Sequence, residues 1–323
     1  MNILHMQPDG AECILSLCRE CGIQVDSADL QLIVAGASGR VIMRALNKGV
    51  VGVYWTSARA DNASFVVAAQ GLARMGVRVP RVLRYRDEGN GCGTCLIQDL
   101  GCRDLLGLKE EPWQMRRAAY CSALQEVFKL HTLSPDWLLQ PAFDAEMYRW
   151  EQEYFAEHFL GRHLGLSSSA FAELQCSRNV ADFLAQLPRG PVHRDFQSQN
   201  IMLHAGEAYL IDFQGMRMGR FEYDLASLVY DPYMSLLPEE SDELLSVYAE
   251  ISGEKIDMSI FFACALQRLM QALGAFANIG YNQKRTWYLN MIPPGVRALR
   301  HVANRTSVES PAYPLAQWLL NHV

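Results

Sequence analysis

The residues that could do chemistry are concentrated between positions 193 and 214 of this 323-residue chain. Asp195 and Asn200 lie at the two ends of a short polar segment, and Asp212 follows at the end of an apolar run. A carboxylate within hydrogen-bond reach of a hydroxyl can orient that hydroxyl and accept its proton. Aspartate and asparagine oxygens are ligands that Mg²⁺ favours. Together the three residues indicate phosphoryl transfer, with Asp195 as the base and Asn200 and Asp212 as metal ligands.

The spacing of these residues matches a known catalytic signature. The chain reads H-R-D at 193–195, then four residues and Asn200, and D-F-Q begins at Asp212. This order, with short β-type runs between its parts, is the catalytic signature of protein kinases. Each part alone has a simpler explanation, because an aspartate often caps a helix or ends a strand. It is the complete set that favours catalysis.

Short β-type runs dominate the first hundred residues. An amphipathic helix is predicted at 11–23, and another helix, ending at Met75, lies between the third and fourth β-type runs. The predicted strands are 31–34, 40–46, 50–55, 81–85 and 94–98. The pattern predicts an antiparallel sheet with one inserted helix, which we place in a lobe at residues 1–101.

After Gly101 the pattern becomes mainly helical, and helices resume from Tyr223 to the end of the chain. The other helices of this part are predicted at 112–133, 143–164 and 168–187. Three short β-type runs, at 190–193, 200–203 and 208–212, surround the catalytic segment. The predicted fold class is therefore α+β and bilobal, with a second, mainly helical lobe at residues 102–323.

These motifs resemble the aminoglycoside phosphotransferase and choline kinase superfamily, a relative of the protein kinases. Residues 193–200 read H-R-D-F-Q-S-Q-N, and residues 212–214 read D-F-Q where protein kinases have D-F-G. Both are similar to the bacterial branch of anomeric kinases of N-acetylmuramate and N-acetylglucosamine, which act in cell-wall sugar recycling. The resemblance extends from about residue 30 to about residue 300. It implies a protein-kinase-like fold, ATP and Mg²⁺ as cofactors, and an amino-sugar acceptor.

The resemblance also implies which residues of the first lobe bind the nucleotide. The nucleotide loop of the branch is matched by Gly36, Ser38, Arg40 and Arg44. The hinge, where backbone groups would bind adenine, is occupied by Gln98 and Leu100. All of these residues are predicted to bind ATP. Glycine would allow close approach of the backbone to phosphates, although Gly-Ala-Ser-Gly is also an ordinary hairpin turn.

Three residues of the second lobe are given further roles by the resemblance. Asp224 is expected to be a buried acid that supports the catalytic segment, and His193 is expected to have a structural role within it. Glu151, on the predicted helix at 143–164, could accept hydrogen bonds from sugar hydroxyls. A solvated helix face with i, i+4 partners explains Glu151 equally well.

One departure from the protein-kinase pattern concerns the charge of the nucleotide. The strand at 50–55 has no lysine, and the helix position expected to carry its glutamate partner is Gln70. Arg40, Arg44 or the metal ions must then neutralise the α- and β-phosphates, and such electrostatic help is often the largest catalytic contribution. The departure leaves open a catalytically weak, nucleotide-binding regulator. Among enzymes, an amino-alcohol or aminoglycoside phosphotransferase is the alternative.

Composition and charge limit the partners. Half of the residues are hydrophobic, 20% are charged and the net charge is −6, which is typical of a folded soluble protein and unlike a nucleic-acid binder. The apolar stretch at 258–270 is interrupted by Gln267 and Arg268 and is too short to span a bilayer. No secretion signal is apparent. We therefore expect a cytoplasmic monomer or weak dimer whose partners are ATP and a small-molecule hydroxyl acceptor, without nucleic acid or membrane.

Overall fold

The computed structural model describes residues 8–33, 40–59, 62 and 64–323. The first lobe contains a five-stranded antiparallel sheet in the order β1-β2-β3-β5-β4. Its strands are β1 (Leu30–Leu32), β2 (Val41–Ala45), β3 (Val50–Trp55), β4 (Val82–Gly89) and β5 (Cys92–Gln98). The strands predicted at 40–46 and 50–55 form one hairpin, β2–β3, and those predicted at 81–85 and 94–98 form another, β4–β5, which is longer than predicted.

Strand β3 is buried along its whole length because both of its faces are covered. On one face Val50 packs in a small core with helix α1 (Pro8–Glu20), and on the other Val51 belongs to the main core. Gly52 lies beneath α1, where an added Cβ would come within 2.3 Å of the Ile14 side chain. Close packing of helix on sheet therefore explains the glycine in this strand.

Helices form most of the remaining chain. Helix α2 (Phe65–Arg74) is inserted between β3 and β4, and the others follow the sheet. They are α3 (Trp113–His131), α4 (Ala145–Phe155), α5 (Ser168–Ala172), α6 (Gln175–Gln186), α7 (Phe221–Val229), α8 (Pro238–Ser252), α9 (Met258–Tyr281), α10 (Ile292–Arg305) and α11 (Tyr313–His322). A π-helical stretch (Ala156–His163) continues α4, and the single helix predicted at 168–187 is divided into α5 and α6.

Two short antiparallel ribbons position the catalytic segment. Strand β6 (Gly190–Val192) pairs with β9 (Arg217–Gly219), and β7 (Ile201–His204) pairs with β8 (Glu207–Leu210). The H-R-D loop connects β6 to β7, and the D-F-Q segment connects β8 to β9. The β7–β8 hairpin lies between β6 and β9 in the chain. Each of the two loops therefore connects one ribbon to the other.

Helix α9 is long and apolar enough to cross a membrane by length and composition. It is longer than the apolar stretch at 258–270, because Gln267 and Arg268 lie within the helix and do not end it. However, 83% of its most apolar part is buried inside the protein. Helix α9 is therefore a core helix, which packs against α4, α7 and α10.

The main hydrophobic core extends through both lobes. It includes β3 and α2 on one side and α3, α7, α9 and α10 on the other. At the junction the rings of Phe65 and Phe213 stack with centroids 5.3 Å apart. The architecture is the bilobal α+β fold that the sequence predicted, whereas a boundary at residue 101 stays a prediction.

Candidate active site

Asp195 projects from the loop between β6 and β7 and keeps 33% of its side chain exposed. Just before it, the backbone N–H groups of His193 and Arg194 donate to the two carboxylate oxygens of Asp224 at 2.6 and 2.8 Å. Arg194 has a φ of +78°, a left-handed conformation that is uncommon for residues other than glycine. The buried Asp224 therefore fixes the backbone that leads into Asp195.

Asn200 lies at the other end of the loop. Its Nδ2 donates to the backbone carbonyl of Asp195 at 2.9 Å, and its amide oxygen is a ligand of the type that Mg²⁺ prefers. Between these two residues, the backbone N–H and the Oγ of Ser198 both donate to Asp231 at 2.8 and 2.6 Å. Asp231 is buried, so a second acid anchors the middle of the loop.

Asp212 follows β8 with a left-handed φ of +63°. Its Oδ1 accepts a hydrogen bond from Gln214 Nε2 at 2.8 Å and forms an ion pair with Arg40, which lies directly before β2. In addition, His193 Nε2 donates to the carbonyl of Ile211 at 2.9 Å. The D-F-Q segment is thus joined both to the catalytic loop and to the first lobe.

Arg268, on α9, is not among the residues that the sequence singled out for the site. Its Nη2 lies 3.7 Å from Asp195 Oδ1, and its Nε donates to Ser227 Oγ at 2.9 Å. Burial raises the pKa of Asp195, but the neighbouring positive charges, first those of Arg194 and Arg268, together outweigh burial and hold this pKa below its ordinary value. The carboxylate is therefore ionised at neutral pH, as a base must be. The sequence contained one indication of this role for Arg268, because an arginine within an apolar stretch needs a buried partner.

Glu151 lies on α4 and is fully buried, so the alternative of a solvated helix face is wrong. The hydroxyl of Tyr223 donates to both of its oxygens at 3.0 and 3.2 Å, and Gln267 Nε2 donates to one at 3.1 Å. Burial raises the pKa of Glu151 even though nearby Arg194 lowers it. Glu151 thus stabilises the contact between α4, α7 and α9, and its binding of an acceptor stays a prediction.

The residues predicted to bind phosphates are found in different surroundings. Gly36 and Ser38 lie outside the described residues. Arg40 reaches the D-F-Q segment, as described above. Arg44 instead donates from Nε to Asp99 Oδ2 at 2.9 Å, and it also donates to the carbonyl of Gly101. Arg44 is therefore engaged at the hinge.

The hinge follows β5 and contacts both lobes. Gln98 ends β5, and its backbone N–H donates to the carbonyl of Arg81 at 2.9 Å. The carbonyl of Leu100 accepts a hydrogen bond from His204 Nδ1 on β7 at 3.3 Å. The hinge is thus positioned beside the catalytic ribbons, while the binding of adenine by Gln98 and Leu100 stays a prediction.

The donor set of the two loops fits Mg²⁺. Within the described part of the chain, no three His, Cys, Asp or Glu side chains form a cluster that could hold a metal ion by themselves. Mg²⁺ usually binds through one or two carboxylates together with substrate phosphates and retains several waters. Asp212 and Asn200 could supply one carboxylate and one amide oxygen. The Arg40 guanidinium on Asp212 indicates that this carboxylate accepts a positive charge.

The fold and the two loops define a phosphotransferase of kinase-like architecture. The model of the phosphotransferase enzyme family (APH) matches residues 29–257, and the chain belongs to this family. It is therefore an enzyme that transfers a phosphoryl group to a hydroxyl.

Among curated proteins, the N-acetylmuramate/N-acetylglucosamine kinase of Neisseria meningitidis serogroup B is similar to this chain. The two are 29% identical over 255 residues, which cover 74% of this chain and 75% of that protein. The sequence-based resemblance to the aminoglycoside phosphotransferase and choline kinase superfamily, and within it to this bacterial branch, is confirmed.

Two solved structures have the same fold. A choline/ethanolamine kinase family protein from Mesorhizobium loti has a TM-score of 0.65 at 15% identity, over 98% of this chain and 100% of that one. An aminoglycoside phosphotransferase from Streptomyces rimosus, in complex with ADP and streptomycin, has a TM-score of 0.55 at 17% identity, over 80% of this chain and 96% of that one. At these identities the similarity shows the fold alone.

Proposed function

We propose that the protein transfers the γ-phosphoryl group of ATP to the anomeric hydroxyl of an amino sugar, in the recycling of cell-wall sugars. The observation that carries this proposal is the Asp195 carboxylate, which is partly exposed, kept ionised by arginines, and placed in one loop with Asn200. The name of the Neisseria relative supports N-acetylmuramate or N-acetylglucosamine as the acceptor.

In the proposed reaction Asp195 orients the acceptor hydroxyl and accepts its proton. The acceptor oxygen forms a bond to the γ-phosphorus, and the bond from this phosphorus to the β,γ-bridging oxygen breaks, so that ADP leaves with the electron pair. Mg²⁺ bound by Asn200 and Asp212 would neutralise charge on the phosphates. Asp224 and Asp231 hold the loop backbone, so that Asp195 needs little reorganisation during the reaction.

The nucleotide is proposed to bind between the two lobes. We assign nucleotide binding to residues 1–101 and catalysis and acceptor binding to residues 102–323. The stacked rings of Phe65 and Phe213 and the hinge contact of Leu100 with His204 support a fixed cleft between them. The proposed ATP-binding residues are Gly36, Ser38, Arg40, Arg44, Gln98 and Leu100.

Replacing the proposed base tests this function. Asp195→Asn should lower kcat by about 100-fold or more, because proton transfer to the base is lost, while ATP binding measured by calorimetry stays close to wild type. ADP release is measured with N-acetylmuramate, N-acetylglucosamine, choline and streptomycin as acceptors. Asp136→Asn is the matched control, since Asp136 forms an exposed ion pair with Arg74.

The product decides between the proposed function and its alternatives. Phosphorus NMR should place the phosphate on the anomeric oxygen of the sugar. Faster turnover of choline or streptomycin, or a phosphate on a primary alcohol, would favour the amino-alcohol or aminoglycoside phosphotransferase. ATP binding without ADP release on any acceptor would favour the catalytically weak regulator. Near-wild-type turnover by Asp195→Asn would show that Asp195 is not the base.

A further inference from the structure

Arg40 joins the first lobe to the D-F-Q segment through a largely buried guanidinium. Its Nη2 donates to Asp212 Oδ1, and its Nη1 donates to Gln214 Oε1 at 3.2 Å. The Arg40 side chain is only 6% exposed, whereas 38% of the Asp212 side chain remains exposed. A buried cation therefore neutralises a carboxylate that is still open to solvent.

This ion pair occupies an oxygen that the proposed reaction needs for another purpose. Asp212 Oδ1 accepts hydrogen bonds from both Arg40 and Gln214, and Asp212 is a proposed ligand of Mg²⁺. Two cations a few ångströms from each other in a partly buried site repel each other, and the repulsion weakens the binding of both to one carboxylate. The Arg40 ion pair and a metal ion on Asp212 are therefore competing states.

A guanidinium that leaves Asp212 has a second use nearby. Strand β3 contains no cation, and Arg44 is engaged with Asp99 at the hinge. Arg40 directly follows the glycine-containing segment that is predicted to contact phosphates. Arginine binds phosphate oxygens well because its planar guanidinium can donate two parallel hydrogen bonds.

We propose that Arg40 is a positioning residue that exchanges partners during nucleotide binding. Without nucleotide it holds Asp212 and Gln214, and with nucleotide and Mg²⁺ bound it donates to the phosphates. This inference rests on the proposed function, because it requires both ligands in this cleft. The exchange gives Arg40 the role of the absent β3 lysine. By linkage, metal and nucleotide then strengthen each other's binding by the same factor.

Metal binding to the nucleotide-free protein tests the competition. Mn²⁺ serves as the probe for the metal site, and free Mn²⁺ is measured by electron paramagnetic resonance. Arg40→Gln removes the competing charge and should bind Mn²⁺ about tenfold more tightly than wild type. Arg40→Lys keeps the charge and should remain close to wild type. If Arg40 had only a structural role, Arg40→Gln would not increase the affinity for Mn²⁺. Adding Asp212→Asn to Arg40→Gln should abolish the increase.

Nucleotide binding tests the second half of the exchange. ADP affinity, measured by calorimetry with saturating Mg²⁺, should fall about tenfold in Arg40→Gln because charge-assisted hydrogen bonds to phosphate are lost. Arg74→Gln is the matched control, since Arg74 makes an exposed ion pair with Asp136 at 2.8 Å. It should leave both Mn²⁺ and ADP affinities unchanged. Thermal melting followed by circular dichroism checks that each variant is folded.

The outcomes separate this inference from the proposed function. If Arg40→Gln binds Mn²⁺ no more tightly than wild type, or binds ADP equally well, the exchange is overturned. The proposed function stands in either case provided that wild type binds ADP with Mg²⁺. If wild type binds no nucleotide even with Mg²⁺, the proposed function itself fails, and the exchange fails with it.

Discussion

The carboxylate of Asp224 accepts the backbone N–H of Arg194 at 2.8 Å, and Arg194 has a φ of +78°. The preceding N–H, of His193, donates to the other carboxylate oxygen at 2.6 Å. One buried acid thus satisfies two successive donors and holds a backbone conformation that is unusual for arginine. Since Asp195 is the next residue, its orientation depends on Asp224.

Removing the Asp224 carboxylate should therefore affect both stability and turnover. Asp224→Ala leaves two backbone N–H groups and His131 Nε2, which lies 3.0 Å from Asp224 Oδ2, without an acceptor. The free energy of unfolding should therefore fall by about 3 kcal/mol or more, and kcat should fall as the loop relaxes. Urea denaturation and ADP release measure the two effects. The control is Asp257→Ala, which removes the acceptor of the backbone N–H groups of Ser259 and Ile260 at the start of α9. This control should lose about 1 kcal/mol and retain kcat. Equal effects in both variants would contradict a specific role for Asp224.

The ionisation of Asp195 should respond to Arg268. Turnover needs the ionised carboxylate, so activity is lost as the pH falls through the pKa of Asp195. Burial raises that pKa and the Arg194 and Arg268 charges lower it. Arg268→Met should therefore move the acid limb of kcat/KM to higher pH, and Arg268→Lys should restore most of its position. The profile is measured from about pH 2.5 to pH 7, so that it includes a limb below the ordinary pKa of an aspartate. An acid limb that does not move in Arg268→Met would show that Arg268 has no effect on Asp195.

The buried Glu151 should make stability depend on pH. Burial raises its pKa in the folded protein above the ordinary value of 4.5. At pH values between the ordinary pKa and the folded-state pKa, the folded state binds more protons than the unfolded state. The stabilising contribution of Glu151 is therefore fully present below its ordinary pKa and is lost as the pH rises through the folded-state pKa. The free energy of unfolding of wild type minus that of Glu151→Gln should therefore decrease as pH rises.

Urea denaturation at a series of pH values checks the Glu151 prediction. Glu153→Gln, at an exposed position of the same helix, should change stability little at any pH. A difference between wild type and Glu151→Gln that increases with pH would give the opposite sign. A raised acceptor KM in Glu151→Gln, with stability unchanged, would support the acceptor-binding role instead.

Asn200 is expected to contribute both a metal ligand and a loop contact. Asn200→Ala should raise the Mg²⁺ concentration for half-maximal activity by about tenfold or more, comparable to the loss of a supporting metal contact. Asn200→Asp retains an oxygen ligand but loses the Nδ2 donor to the Asp195 carbonyl. It should keep its metal affinity and lose kcat. Mg²⁺ titrations of ADP release measure both effects, and an unchanged Mg²⁺ requirement in Asn200→Ala would exclude Asn200 as a ligand.

Local sequence was sufficient to predict the elements that depend on residues close to one another in the chain. The sheet of the first lobe and three of the four strands of the catalytic ribbons were predicted from β-type runs and turn residues, and the observed bounds differ by a few residues at most strands. Strand β9 was not predicted. The catalytic loop could be found because Asp195 and Asn200 lie at fixed spacing within one loop. Where a turn such as that before Gln175 divides a helix, the apolar pattern on both sides is similar, so the interruption was not predicted.

Contacts between distant segments could not be derived in this way. Arg40 and Asp212 are 172 residues apart, and no local pattern indicates which faces of two elements will meet. The same limitation applies to Glu151, whose burial depends on the packing of α9 against α4. Arg268 shows what partial information remains, because a charge within an apolar helix indicates a buried partner without identifying it.

The core that continues from β3 and α2 into α7 and α9 has a consequence for how the protein denatures. With Phe65 packed on Phe213, neither lobe can expose its half of the junction without exposing the other's apolar surface. Heat should therefore melt the chain in a single calorimetric transition with equal calorimetric and van't Hoff enthalpies. A nucleotide bound between the lobes would then raise the melting temperature of the whole molecule.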